Sequence, residues 1–403
     1  MASALTTAFG DFVTTTGPAV LHAEAINEAQ EQTYLLRRFM RGKGPEEILQ
    51  GGQYISEQIM FDENTTAQFY HPNQTFTWEN PQVLEQIRVD WRFLMDHMSW
   101  TDQEIELNAG GLGRGGRFHQ FKRLKRIKEM RMWTSLINLM ERHLFAVPET
   151  ANMEAASGKQ PFSIPAFINE QEDGLFYKDA TPTGKTAWTN VEGLDPTTLD
   201  DKWEPKRRFY DSSTVNDPNN IISEFDEMFL ETQFQVPPSH EEYFTNPRLN
   251  SQFIACSKRG QTVYQQLLRE SQDTFVTPSR QDPAYMNPKA SGIDIVYVPY
   301  LDRAALYAPN ESGTVAYQTE IISTASGDSS GGQENSGPRY YWINGWFMKP
   351  VFHTSRYFYK HPIRVHPNQP TTHIMPVECW YNFVCTSRMR QGIVAPDLDV
   401  YAA

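Results

Sequence analysis

The chain has 403 residues, 36 Lys+Arg against 49 Asp+Glu, a formal net charge of −13, and 39 % hydrophobic and 13 % aromatic residues. Such a length buries a substantial core and favours more than one lobe, and such a composition excludes an intrinsically disordered chain. The three cysteines, Cys256, Cys379 and Cys385, are odd in number and widely spaced, which suits a reducing compartment better than a disulfide framework.

Residues 1–47 read as a polar arm with one helical piece, Glu24–Met40. Its opening, MASALTTAFGDFVTTTGPAV, has no basic stretch followed by an apolar run, so a signal peptide is not expected. No window approaches the ~20 apolar residues of a membrane span. A soluble, cytosolically made protein is expected.

Residues 48–94 carry the first strong pattern. Val83, Ile87, Val89, Trp91 and Phe93 alternate with Gln86, Arg88, Asp90 and Arg92, the period of two that marks a half-buried strand. Tyr54–Phe61 alternates more loosely around Ile55, Ile59 and Phe61, and the middle is rich in Asn, Pro and Thr. This predicts a long hairpin whose arms, at ~12–15 residues each, reach roughly 40–50 Å. A two-stranded ribbon is marginal alone in water, so it either folds back into a larger sheet or lies on another subunit.

After AGGLGRGG comes RFHQFKRLKRIKEMR, the most basic part of the chain. Arg114 to Arg131 hold eight Lys/Arg and one Glu, a local balance of +7, which leaves −20 for everything else. Phe118, Phe121, Leu124, Ile127, Met130, Trp133, Ile137, Met140 and Leu144 recur at threes and fours, predicting one long amphipathic helix over about 117–147. Its basic residues lie off the apolar stripe in the first half. Residues 149–218 are turn-rich and read as loops and short strands around an insertion. An acidic helix follows at Asn219–Phe234 with Ile222, Phe225, Phe229 and Phe234 inward. Beyond Pro237-Pro238, SQFIACS reads as a buried strand, Gly260–Gln272 as a helix and Ile293–Leu301 as a strand. The Ser/Gly run 323–337 reads as a loop, and aromatic strand-like runs close the chain. The fold class is α+β.

Enzyme motifs fail on inspection. GLGRGG (Gly111–Gly116) matches the dinucleotide fingerprint but follows an acidic, alternating segment, and Glu129 comes too early for the ribose, so it reads as a hinge. In TPTGKT (Thr181–Thr186) Asp179 stands where a phosphate loop needs its first glycine, and Pro182 removes an N–H from the cradle. His353, His361, His366 and His373 lack metal-ligand spacing and read as structural or surface residues. No catalytic residue, cofactor or metal ligand is expected.

The order of elements, with the strings TTAFGDFVTTT, GGQYISEQIMFDENTTAQFY, YFTNPRL and YNFVCTSRMRQGIVAP, resembles the major capsid protein of tailed phages (HK97-like, the fold named for phage Hong Kong 97). The strings run from the first twenty residues to residue 396, so the likeness covers almost the whole chain. It implies an N-terminal arm (1–47), an extended loop across a neighbouring subunit (48–94), and a peripheral domain (95–237) with a spine helix at about 117–147. An axial domain (238–375) and C-terminal strands returning to the peripheral domain (376–403) follow; the insertion at 149–218 departs from the family's compact form. The extended loop would place Tyr54, Ile55, Ile59, Phe61, Phe69, Tyr70, Phe76 and Trp78 between subunits.

The implied function is self-assembly as pentamers and hexamers into an icosahedral shell around a double-stranded DNA genome, made in the bacterial host cytoplasm and found in the virion. Implied partners are further copies of the chain, scaffolding, portal and decoration proteins, and DNA held by non-specific contact, with no membrane. Arg117, Lys122, Arg123, Lys125, Arg126, Lys128 and Arg131 would then face either packaged DNA, where cations exchange condensed counterions for protein contacts, or acidic surfaces of neighbouring proteins, or solvent. Two other functions remain open on the sequence: an encapsulin-like nanocompartment shell, and a nucleic-acid-binding protein using the basic helix.

Overall fold

The computed structural model describes residues 35–36, 39, 47–49, 51–61, 69, 71, 84–109, 114–146, 153–169, 191–195, 199, 202–211, 218–232, 252–271, 289–302 and 338–397. They fall into two compact units: Phe93–Glu141 with Phe352–Tyr381, and Tyr34–Arg92 with Arg142–Val351 and Asn382–Ala403. The Ser/Gly run, TPTGKT and YFTNPRL lie outside the described residues.

In the first unit β4 (Arg92–Thr101), β11 (Tyr359–Lys360) and β12 (Arg364–His366) all pair with the long strand β13 (Gln369–Cys385). Tyr359 stands opposite Glu378 and Arg364 opposite Ile374, with a bulge between Val365 and His366. Met375, Val377 and Cys379 are buried and alternate with half-buried Pro376, Glu378 and Trp380, the period the pleat dictates. Burial pushes the Cys379 thiol up to about 12, so it packs as a small hydrophobe.

Helix α1 (Asp102–Ala109) opens with a capping box. Thr101 Oγ1 accepts the Glu104 N–H at 3.2 Å, and Glu104 Oε2 accepts the Thr101 N–H at 3.1 Å. Helix α2 (Arg114–His143) is the long basic helix. It starts three residues before the expected Arg117, taking Gly115 and Gly116 into its first turn, where the backbone N–H groups have no helical partner anyway. It ends earlier than expected too. Its fully buried stripe is Leu124, Met132, Leu136 and Met140, one residue off the predicted Trp133 and Ile137, which are half-buried.

The second unit is organised on a mixed six-stranded sheet in the order β5-β14-β9-β6-β8-β7. Its strands are β5 (Lys206–Asp211), β6 (Gln252–Cys256), β7 (Lys289–Ala290), β8 (Ile293–Tyr297), β9 (Tyr340–Asn344) and β14 (Gly392–Asp397). The pairs β14–β5 and β6–β8 are parallel; β14–β9, β6–β9 and β7–β8 are antiparallel. Every residue of β6 and β9 is buried, so both faces of the sheet are covered.

One face packs against α4 (Pro218–Thr232) and α5 (Lys258–Ser271). Phe225 stacks on Tyr264 at 5.4 Å and meets Tyr340 and Trp342 edge-on at 4.9 and 5.6 Å. The buried stripe of α4 is Ile221, Phe225 and Met228; Ile222 and Phe229 flank it, and Phe234 lies outside the described residues. Gly392 lets β14 pass close to α4: a Cβ there would lie 2.4 Å from Met228 Sδ and 3.1 Å from Lys206 O, so the Met228 side chain would have to shift. On the other face Phe39 meets Phe253 and Phe383 edge-on, and Phe145 meets Tyr341.

Segment 153–169, read from sequence as loop, contains the four-residue helix α3 (Ile164–Phe167) and is buried throughout 160–169. Two buried guanidinium groups fix it. Arg92 donates to the carbonyls of Met153, Ala155 and Gly158 at 2.6, 2.9 and 2.7 Å. Arg388 donates to Phe167 O, Trp203 O and Asn169 Oδ1 at 3.0, 2.9 and 3.1 Å. Desolvation draws Arg388 down to about 10, so it stays charged at neutral pH. His143 is buried as well, and desolvation alone holds its imidazole down at about 4, hence neutral.

Candidate functional site

The expected ribbon is present. β2 (Tyr54–Met60) and β3 (Leu84–Asp90) pair antiparallel over seven residues each, from Tyr54 opposite Asp90 to Met60 opposite Leu84. They form a two-stranded sheet separate from the larger ones, so among the described residues the ribbon is not folded back into a bigger sheet.

Its burial is graded. Ile55, Ile87 and Val89, at the root, are 1 %, 0 % and 1 % exposed, whereas Met60 and Leu84, at the far end, are 67 % and 52 % exposed. Tyr54 is exposed under the guanidinium of Arg88 at 5.5 Å, Ile59 is half-buried, and Phe61 meets Trp203 edge-on at 5.7 Å. Phe69 is exposed. Tyr70, Phe76 and Trp78 lie outside the described residues.

One expectation is corrected here. The alternating run Val83–Phe93 is not one strand: β3 ends at Asp90, and the chain resumes as β4 at Arg92 in a different sheet. Trp91 and Arg92 are both buried, so the alternation changes phase, and Phe93, expected inward, is 63 % exposed beside Trp380. The Trp91 indole N–H donates to Gly52 O at 3.0 Å, pinning the two ends of the ribbon's root together.

Along α2 the predicted cations separate. Arg117, Lys122 and Arg123 lie within the helix, and their side chains are outside the described set. Arg126 and Arg131 are exposed and Lys125 is half-buried. Lys128 donates to Ser99 O at 2.8 Å and to Glu104 Oε2 at 2.6 Å, so its ammonium is tied to the cap of α1. Glu129 pairs with Lys360, whose hydrogen bond holds the carboxyl below its ordinary 4.5, and Lys360 also lies over the Trp133 ring at 5.4 Å. None of these pairings is readable from spacing, because the partners stand 24 and 231 residues apart.

The four histidines each have local work. His361 Nε2 lies 2.8 Å from Glu378 Oε2, and His373 Nε2 lies 3.1 Å from Asp102 Oδ1 while its ring stacks on Trp100 at 5.9 Å. His353 and His366 accept backbone N–H groups two residues on, at 3.3 and 3.2 Å. Burial pushes the Glu378 carboxyl up, but hydrogen bonds from His361 and Trp380, together with the Arg356 charge, outweigh it and hold it below 4.5. No group of three or more potential metal ligands occurs among the described residues. No helix there is long and apolar enough to cross a membrane.

The molecule is thus a mixed α+β protein whose distinctive features are a half-exposed ribbon and a long basic helix. No family model matches the chain, and no curated protein matches it. Solved structures do. A chain of the cyanophage A-1(L) capsid matches with a TM-score of 0.52 at 10 % identity, covering 94 % of this chain and 96 % of that one. A chain of the bacteriophage PhiM1 mature capsid matches at 0.48, 12 % identity, 94 % and 93 % coverage. A capsid chain of a native GTA particle matches at 0.49, 8 % identity, 94 % of each chain. The first of these carries the conclusion: the chain has the fold of a phage capsid protein.

Proposed function

We propose that this chain is a major capsid protein with the HK97-like domain layout, which assembles with its own copies, as pentamers and hexamers, into an icosahedral shell around double-stranded DNA. The observation that carries the reading is the graded burial of β2–β3. A ribbon fixed at its root and apolar at its exposed end lacks a surface that a second copy supplies. Covering Met60, Leu84 and Phe69 there gains about 25 cal/mol per Å² of apolar area, and symmetry repeats the gain at every contact. The residues of the extended loop make this contact. Arg117, Lys122, Arg123, Lys125, Arg126 and Arg131 of α2 face the packaged DNA; Lys128, committed to Glu104, does not.

Negative-stain electron microscopy of the purified chain tests this. Closed shells are expected, and a monodisperse monomer at high concentration would overturn the reading. A chain lacking Gly52–Pro81 is expected to stay soluble and form no shells, and normal particles from it would remove the ribbon from assembly. The DNA assignment predicts particles whose nucleic acid is released as salt rises, less steeply after Arg126→Gln with Arg131→Gln.

A further inference from the structure

One turn, far from any motif, holds the root of the ribbon. Val191 and Leu194 bridge each other through two backbone hydrogen bonds of 3.2 Å, and the residues between them, Glu192 and Gly193, have φ of +60° and +80°. Positive φ at both central positions is the turn that Asn-Gly and Gly-Gly adopt freely. Gly193 meets the requirement without strain, whereas Glu192, with a Cβ, stands there against its backbone preference.

In return its side chain goes fully inward, at 0 % exposure. Glu192 O accepts the backbone N–H of Arg88 in β3 at 3.3 Å, and Glu192 Oε1 accepts the N–H of Cys385, the last residue of β13, at 3.0 Å. Val191 O accepts the Trp203 indole N–H at 3.1 Å, and the Trp203 ring meets Phe61, just beyond β2. Gly193 N–H donates to Glu154 Oε1 at 2.9 Å. The turn therefore bonds β3 directly, reaches Phe61 beyond β2 through Trp203, and ties the ribbon to the C-terminal end of β13.

The charge around Glu192 is unfavourable for an anion. Glu57 of β2 and Glu154 of segment 153–169 face it with negative charge, Glu57 itself pairing with Lys349 at 3.4 Å. Cys385 contributes a buried thiol, raised by burial and by Glu192. The Arg388 guanidinium is nearby but already spent on three oxygens, and that of Arg88 lies over Tyr54. Glu192 Oε2 has no hydrogen-bond partner among the described residues. Burial pushes its pKa well above 4.5, with Glu154 and Glu57 pushing the same way against the weaker pull of the Cys385 N–H and Arg388.

We propose that Glu192 is a positioning residue that clamps the ribbon's root to the end of β13, and that the clamp holds while its carboxyl is protonated and opens when the proton is lost. A carboxylate cannot remain in this position with one oxygen unpaired and two carboxylates opposite. It leaves for solvent, relaxing its positive φ and withdrawing the turn from Arg88 and Cys385. This deepens the assembly reading, since it makes the ribbon's freedom depend on pH.

The test uses the unassembled full-length chain, so that it reads the clamp whether or not shells form; microscopy separately judges the shells. Hydrogen exchange is followed by mass spectrometry in peptides covering 54–60 and 84–90, for the native chain and Glu192→Gln at the same series of pH values, so that intrinsic exchange rates cancel. Gln keeps the acceptor for Cys385 N–H and cannot ionise. Native exchange relative to the variant is expected to rise about tenfold per pH unit above the ordinary carboxylate range and then to level off. A ratio that does not change with pH overturns the proposal, as does a Gln variant that is already the less protected chain in mild acid. If Glu192→Gln does not fold, infrared spectra of the native chain decide. The band of a protonated carboxyl must disappear at the same pH at which the ribbon's exchange accelerates, and exchange that accelerates without that loss overturns the clamp.

Discussion

The ribbon β2–β3 and the central strands β6 and β9 both draw on Ile and Tyr, yet they end in opposite circumstances. Every residue of β6 and β9 is buried by α4 and α5 on one side and by Phe39, Phe145 and Phe383 on the other. The ribbon buries Ile55, Ile87 and Val89 at its root and leaves Met60 and Leu84 in water. The sheet satisfies its apolar surface within the chain. The ribbon does so only in part, and the unsatisfied part is the one that the proposed assembly uses. Damage to the first should unfold the chain, while damage to the second should leave a folded chain that has lost its task.

The largest effect belongs to the sheet. Trp342→Ala empties a site closed by Phe225 and is expected to cost about 3–5 kcal/mol in urea unfolding, a large fraction of the whole stability. A cost near zero would break the comparison at once.

Next comes acid. His143 is neutral in the folded chain with its pKa lowered from 6.5 to about 4, so its stabilising contribution is complete above pH 6.5 and declines as pH falls toward 4, by about 3 kcal/mol in all. Glu192 acts in the opposite sense. With a raised folded pKa, its contribution is complete below 4.5 and falls as pH rises above that value. The two slopes oppose each other as pH rises from 4.5, where the Glu192 contribution falls while that of His143 grows toward its full value at 6.5. Urea unfolding of His143→Phe over this range should therefore show stability falling steadily with pH where the native chain shows a broad plateau.

A smaller effect is expected at Glu129→Gln, which removes the half-buried partner of Lys360. The loss is at most about 1 kcal/mol and should shrink as salt is added. The smallest is in the ribbon itself: Met60→Asp with Leu84→Asp should shift the unfolding midpoint by less than about 0.5 kcal/mol while shell formation stops. Loss of both properties together would mean that the far end of the ribbon is part of the subunit's own core.

Much of this was readable from the residues. The periodicities of α2, α4 and β6 translated directly into elements, because a helix or a strand buried along one stripe declares its own period. The break at Trp91 was not readable. Alternation reports that a residue faces inward but not which strand lies beside it, and two successive buried residues, Trp91 and Arg92, were the only trace of the change of sheet. Arg92 looked like a solvent-facing residue because its acceptors, Met153, Ala155 and Gly158, lie more than 60 residues away. Lys128 looked like one more cation in a basic row until Glu104 was found beneath it. Glu192 sat in a stretch that read as loop, and only its backbone angle and burial single it out.

The position of β14 also bears on how the polypeptide is made. It lies between β5 and β9, although it follows both in sequence, so β5 has no neighbour on the path of its sheet until residue 397 has emerged. A growing chain on the ribosome must therefore carry β5 without its neighbouring strand through nearly two hundred further residues of synthesis. Closure of that gap by long-range pairing is intrinsically slow and aggregation-exposed, so added chaperone is expected to raise the yield of soluble subunit.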